Sequence, residues 1–213
     1  MAVQSSSTTS AALPYFVALP SGPGPWPGVV VVHEGNGISP QLLRICERLA
    51  GRGFAAVAPD LFFRSGGSEA KPFAELIGEL SPDQVITDLQ AAADILRGLG
   101  AGRIGVTGFC MGGLQTWRAA VEGSGFAAAV GFYGGGISRV PGEPRCPTLL
   151  FFGGRDEFIP PAEIETVAAR HPDTVVYPEA GHGFMRDGSD SYHEASAADA
   201  WQRALSFFAD HLA

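Results

Sequence analysis

Cys110 stands in the run Ile104-Gly105-Val106-Thr107-Gly108-Phe109-Cys110-Met111-Gly112-Gly113, where a β-branched strand pattern meets Gly-x-Cys-x-Gly and a helical pattern follows over 114–121. Such a strand-to-helix turn lifts one side chain clear of the sheet edge, and the flanking glycines let strand and helix approach closely. A cysteine at that apex points to thiolate attack, because the thiolate is the nucleophilic form. Taken alone, the run also fits a buried, inert cysteine beside a glycine turn.

An elbow nucleophile needs a base and an acid that orients it, in the chain order nucleophile, acid, histidine. Pro147-Thr148-Leu149-Leu150-Phe151-Phe152 reads as a buried strand and runs into Gly153-Gly154-Arg155-Asp156. Asp156 therefore lies beyond a strand's carboxyl end, the edge where open α/β sheets gather their ligands. A further strand pattern, Thr174-Val175-Val176-Tyr177, leads through Pro178-Glu179-Ala180-Gly181 to His182. Cys110, Asp156 and His182 thus follow in the required order, each just past its own strand, and we expect them to form a triad. Glu157, His171, His193 and His211 read as solvated loop or surface residues. No His or Cys pair has metal-ligand spacing, and Gly134-Gly135-Gly136 precedes no helix. Neither a metal nor a phosphate-bearing cofactor is expected.

The front of the chain supplies the facing loop. Gly28-Val29-Val30-Val31-Val32 is a continuous apolar run, as in a strand buried on both faces of a parallel sheet, and it breaks at His33-Glu34-Gly35-Asn36-Gly37. The loop is placed to give the Gly35 N–H to an oxyanion hole, with the Met111 N–H as second donor. Glu34, judged by position alone, reads as a loop carboxylate bonded to neighbouring backbone.

These residues resemble the dienelactone hydrolase (carboxymethylenebutenolidase) family of the α/β-hydrolases. The likeness is carried by Val32-His33-Glu34 with Gly37, and by Ala58-Pro59-Asp60-Leu61-Phe62 with Arg64. Gly108-Phe109-Cys110-Met111-Gly112-Gly113, Gly153-Gly154-Arg155-Asp156 with Ile159-Pro160, and Ala180-Gly181-His182-Gly183-Phe184 with Arg186 complete it. The resemblance implies a Cys-His-Asp triad that opens an enol-lactone or small ester through a thioester. It also implies that Glu34 takes the thiol proton when substrate binds, and that Arg186 grips a substrate carboxylate. The segment between Arg64 and Asp88 is shorter than in the family and has no arginine where a second carboxylate-binding one would fall. Arg64 or Lys71 is the remaining candidate, although lysine cannot form arginine's bidentate fork. A broad carboxylesterase or thioesterase is the neighbouring alternative. A redox-sensing thiol on a non-hydrolytic scaffold is a third, which the lack of a resolving cysteine near Cys110 disfavours.

Around these residues the 213-residue chain reads as one α/β domain over 13–213, preceded by a flexible tail over 1–12. Strands are expected at 15–19, 28–32, 54–58, 127–133, 148–152 and 174–177, with the elbow strand among them. Helices are expected at 41–51, 83–99, 161–170 and 196–212 besides the elbow helix. Alternating elements of these lengths predict a mostly parallel twisted sheet with helices on both faces and a small or absent cap. With 17% charged and 46% hydrophobic residues the chain is a globule rather than a disordered segment. A net charge of −8 argues against nucleic acid as partner, which needs a basic patch. No stretch is apolar enough to span a membrane, and the N-terminal region lacks the pattern of a secretory signal. Three cysteines without paired spacing suit a reducing, cytoplasmic setting. The partner expected is a small lactone or ester, with the chain a monomer or small homo-oligomer.

Overall fold

The computed structural model describes residues 4–9 and 13–213. It is built on an eight-stranded sheet in the order β1-β2-β4-β3-β5-β6-β7-β8. The strands are β1 (Gln4–Thr9), β2 (Pro14–Leu19), β3 (Trp26–Val32), β4 (Ala55–Pro59), β5 (Ala101–Phe109), β6 (Ala128–Phe132), β7 (Thr148–Gly153) and β8 (Thr174–Tyr177). From β4 through β8 all neighbours are parallel, while β1 and β2 pair antiparallel at one edge. This is the α/β-hydrolase arrangement. Part of the expected tail over 1–12 lies outside the described residues, and within it Gln4–Thr9 forms the edge strand β1.

Burial explains the strand order. Val29 through Val32 of β3 are fully buried, so both faces of this central strand are covered. Val29 and Val31 belong to the core on the face that also buries Leu42, Ile45 and Leu49 of α1 (Pro40–Ala50) and Trp201 and Phe208 of α6 (Glu194–Leu212). Val30 and Val32 pack with Val85, Leu89 and Leu96 of α3 (Pro82–Gly98). The helices begin where the chemistry of their first turns allows. Ser39 caps α1 by accepting from the Leu42 N–H at 3.3 Å, and Pro40 follows it at the first helical position, where no N–H is needed.

Between β4 and α3 the chain forms a 3₁₀ turn, Phe63–Ser65, and a two-turn helix, α2 (Phe73–Glu79). The sequence gives no helix here. Leu76 is its only buried residue, and it anchors the segment against Leu61, Phe62 and Val85. α4 (Met111–Val121) follows the elbow, and α5 (Pro161–Arg170) joins β7 to β8.

Aromatic rings run across the carboxyl halves of the later strands. Phe109 and Phe132 are register partners on β5 and β6, stacked at 4.7 Å and 17°. Phe132 and Phe151 are partners on β6 and β7, stacked at 4.9 Å and 22°. Tyr177 on β8 continues the row at 6.1 Å from Phe151.

Candidate active site

The elbow is a turn held from three sides. Cys110 adopts φ 55° and ψ −119°, a conformation that costs an L-residue about 1–3 kcal/mol and persists only where its surroundings enforce it. Its N–H donates to the Phe132 carbonyl at 3.0 Å, and its carbonyl accepts from Gly113 at 2.9 Å. A Cβ on Gly108 would lie 2.2 Å from the Gly112 oxygen, and one on Gly112 would lie 2.4 Å from the Val32 oxygen. Both positions therefore exclude side chains, and α4 starts pressed against the end of β3. Met111 is the first residue of α4, so its N–H has no acceptor within the helix.

Asp156 and His182 meet beside this apex. Asp156 Oδ1 accepts from the Phe158 and Ile159 N–H groups at 2.8 and 3.0 Å, and Oδ2 accepts from His182 Nδ1 at 2.8 Å. The carboxylate is wholly enclosed, at 0% exposure, and held in one orientation. Because a carboxylate only accepts, Nδ1 carries a proton, and Nε2 is the ring nitrogen that Asp156 leaves unengaged. Burial works against the His182 imidazolium, yet its bond to Asp156 and its pairing with Cys110 outweigh that cost and raise its pKa to about 9. The two loops are stitched together: the Gly154 N–H donates to the Tyr177 carbonyl at 2.7 Å, and the Arg155 N–H to the Ala180 carbonyl at 2.9 Å.

The loop after β3 is fixed by His33, which the sequence displays only as part of the run Val32-His33-Glu34. His33 is fully buried; Nε2 accepts from the Leu61 N–H at 3.0 Å, and Nδ1 therefore donates to the Glu34 carbonyl at 2.6 Å. Burial holds its pKa below the ordinary histidine value, so the ring is the neutral strut this pattern needs. Glu34, instead of bonding to nearby backbone, turns its carboxylate inward. Oε1 accepts from the Tyr133 hydroxyl at 3.1 Å and Oε2 from Arg186 Nε at 2.7 Å. Burial first, and then the adjacent Glu34, push the Tyr133 phenol well above its usual range, which keeps it a donor. Tyr133 itself has φ 38° and sets its ring 5.1 Å from that of His182. Nothing in the sequence marked Tyr133, since it lies 99 positions from Glu34.

Cys110, Met111, His182 and Arg186 share a cavity of about 480 Å³ with Gln115 and an apolar wall that includes Phe73, Ile77, Leu114, Phe158 and Ile159. Glu34, Gly35 and Asn36 line an adjoining depression of about 410 Å³ that also reaches Cys110 and Arg186. Phe73 lies over Gly35, where a Cβ would meet its ring at 2.2 Å, so α2 covers the loop as a short cap. The structure thus brings Cys110, Met111, Asp156, His182, Glu34, Gly35 and Arg186 to one place. Arg64 and Lys71 are not among the residues lining either space. Arg64 grips Asp88 with two bonds of 2.6 and 2.9 Å and rests on the Phe63 ring, while Lys71 is paired with Glu79. Among the described residues no cluster of His, Cys, Asp or Glu is arranged to hold a metal ion, and no helix is long and apolar enough to cross a membrane. Cys46 and Cys146 are unpaired thiols away from the site, both pushed up in pKa chiefly by burial.

Several known proteins resemble this chain in sequence and in shape. Residues 13–212 match the profile of the Dienelactone hydrolase family. A Yersinia pestis protein named "Putative carboxymethylenebutenolidase" is 38% identical over 226 residues, covering 93% of this chain and 84% of that one. The "Carboxymethylenebutenolidase" of Pseudomonas putida is 32% identical over 216 residues, covering 91% of each. A crystal structure of a "Putative Dienelactone Hydrolase" from Klebsiella pneumoniae subsp. pneumoniae MGH 78578 superposes with a TM-score of 0.90 at 33% identity, covering 98% of this chain and 99% of that one. The chain is a hydrolase that belongs to the dienelactone hydrolase family.

Proposed function

We propose that this protein hydrolyses a lactone or ester through Cys110, with His182 as general base and acid and Asp156 as its orienting partner. The reading is carried by one observation: Cys110, strained at the apex of the elbow, shares a cavity with a His182 whose far nitrogen is fixed by Asp156 at 2.8 Å. The sulfur bonds to the acyl carbon as the C–O bond breaks, and Nε2–H passes its proton to the departing oxygen. Water then adds to the thioester carbon, Nε2 takes its proton, and the C–S bond breaks to restore the thiolate. The N–H groups of Met111 and Gly35 are the candidate donors to the oxyanion, each supplying about 10²–10³ in rate.

Glu34 and Arg186 act as a pair in this scheme. For Glu34 to take the Cys110 proton, its contact with Arg186 must open, and a substrate group that draws the guanidinium away would do so. A free catalytic thiol suits a reducing compartment, which favours the cytoplasm. The test is turnover of cis- and trans-dienelactone and of 4-nitrophenyl acetate, with Cys110→Ala as control and intact-mass detection of an acyl-enzyme. Loss of turnover and of the adduct in Cys110→Ala is the expected result; full hydrolysis by that variant rejects the scheme. The apolar wall favours a broader carboxylesterase as the second reading, marked by Cys110-dependent turnover of the simple ester alone.

A further inference from the structure

Two spaces meet at Cys110, and they differ in what lines them. The larger, about 480 Å³, has His182 and an apolar wall of Ile77, Leu114, Phe158 and Ile159. The smaller, about 410 Å³, has Glu34, Gly35 and Asn36. Cys110, Arg186 and Phe73 line both. Cys110 and Arg186 have chemical parts in the proposed hydrolysis, which leaves Phe73 as the boundary residue without one.

Phe73 opens α2, a helix whose single buried residue is Leu76, and stands 45% exposed. Its ring takes the place of a side chain at Gly35, where a Cβ would lie 2.2, 2.5 and 2.8 Å from three of the ring carbons. The aromatic ring thus closes over the loop at the point where the two spaces join. Chemistry then decides which half of an ester goes to which side. The breaking C–O bond leaves an oxygen that collects the proton from His182 Nε2, so the departing half needs His182 within about 2.6–3.2 Å. Among the described residues, His182 lines the larger space alone. The candidate oxyanion donors straddle the boundary, with Met111 in the larger space and Gly35 in the smaller. With the carbonyl held between them and the alcohol half on the His182 side, the acyl chain runs toward Glu34, Gly35 and Asn36.

We propose that the alcohol half of the substrate seats against the apolar wall at Phe158, that the acyl half seats beside Glu34, Gly35 and Asn36, and that Phe73 is the specificity-determining residue that limits the acyl half. This rests on Cys110 being the nucleophile. In a lactone the two halves are joined, and the ring spans both spaces across Cys110. The exchange between Glu34 and Arg186 is untouched by this division, since Arg186 lines both sides. The test measures kcat/KM for two pairs of esters. Phenyl acetate and 4-tert-butylphenyl acetate differ in the alcohol half, whereas 4-nitrophenyl acetate and 4-nitrophenyl cyclohexanecarboxylate differ in the acyl half. Phe73→Ala is expected to raise the ratio of cyclohexanecarboxylate to acetate about tenfold while the alcohol ratio stays within about twofold. Phe73→Leu, which keeps apolar cover on α2, gives a smaller rise in the same direction and guards against a loosened helix. Phe158 is 77% exposed, so its truncation leaves the core intact, and Phe158→Ala lowers the ratio of 4-tert-butylphenyl to phenyl acetate about fivefold. A shift of the alcohol ratio in the Phe73 variants, or no shift of the acyl ratio in either, overturns the inference while leaving the nucleophile in place. Turnover that survives Cys110→Ala overturns the nucleophile reading and this inference with it.

Discussion

Replacing His33 with phenylalanine tests how the site loop is held. Phenylalanine keeps a ring of similar size against Phe62, whose centroid is 4.8 Å from that of His33, so little cavity is created. It removes the acceptor of the Leu61 N–H and the donor to the Glu34 carbonyl, both buried. Each orphaned group costs about 1–3 kcal/mol, giving roughly 2–6 kcal/mol in all, a large part of the roughly 5–15 kcal/mol that stabilises a typical domain. With a urea slope of about 2 kcal/mol/M, the unfolding midpoint at pH 7 falls by about 1–3 M. The difference also depends on pH. Because burial lowers the folded-state pKa of His33, its contribution is present above the unfolded value of about 6.5 and is lost as pH falls below it. The gap between the wild type and His33→Phe therefore narrows from pH 7 to pH 5. His171, also held low by burial, titrates in both proteins, so the difference reports His33. A midpoint within about 0.2 M of the wild type, or a gap that does not narrow in acid, refutes the strut.

Asp156→Asn removes the carboxylate that holds up the His182 pKa, and hydrolysis should fall by about 10²–10⁴. Since that pKa is raised to about 9, its stabilising contribution is full below about pH 6.5 and lost as pH rises through 9; urea midpoints across this range should slope downward in the wild type and flatten in the variant. Gly112→Ala puts a Cβ 2.4 Å from the Val32 oxygen and 2.6 Å from the His33 oxygen, so backbone must move. A cost of about 1–3 kcal/mol lowers the melting temperature by about 2–12 °C. Arg64→Met strips the nearly buried Asp88 of two charge-assisted bonds and should cost about 1–3 kcal/mol while leaving KM for esters at the wild-type value. A raised KM with unchanged stability would place Arg64 at the substrate after all.

The sequence and the structure agree where local pattern decides the outcome. Continuous apolar runs marked the parallel strands because such strands are buried on both faces. Cys110 and Asp156 are legible because each lies just past such a strand, and His182 because it follows the half-exposed Thr174–Tyr177 strand through a short turn. The family resemblance raised Glu34 and Arg186 together, yet not their contact, which joins positions 152 residues apart. The Arg64–Asp88 contact is hidden for the same reason, since Asp88 lies 24 residues on, across a turn and a helix. α2 escaped notice because its seven residues carry no capping side chain and a single buried anchor. β1 escaped because Gln-Ser-Ser-Ser-Thr-Thr has no apolar alternation; its backbone pairing with β2 makes it a strand.

The row of stacked rings gives the reacting groups a common datum. Phe109 immediately precedes Cys110, and Phe132 immediately precedes Tyr133. Phe151 lies two residues before Gly153, at the strand end that launches the Asp156 loop. Thiol, phenol and carboxylate are thus mounted on neighbouring posts whose bases are clamped ring to ring. With the rings this closely packed, a displacement of one post is expected to press on its neighbours, which ties the alignment of the three groups together. Such a mounting tolerates small motions of the whole row, because spacing within it is preserved. Cutting a single ring to a smaller side chain is therefore expected to disturb all three groups together.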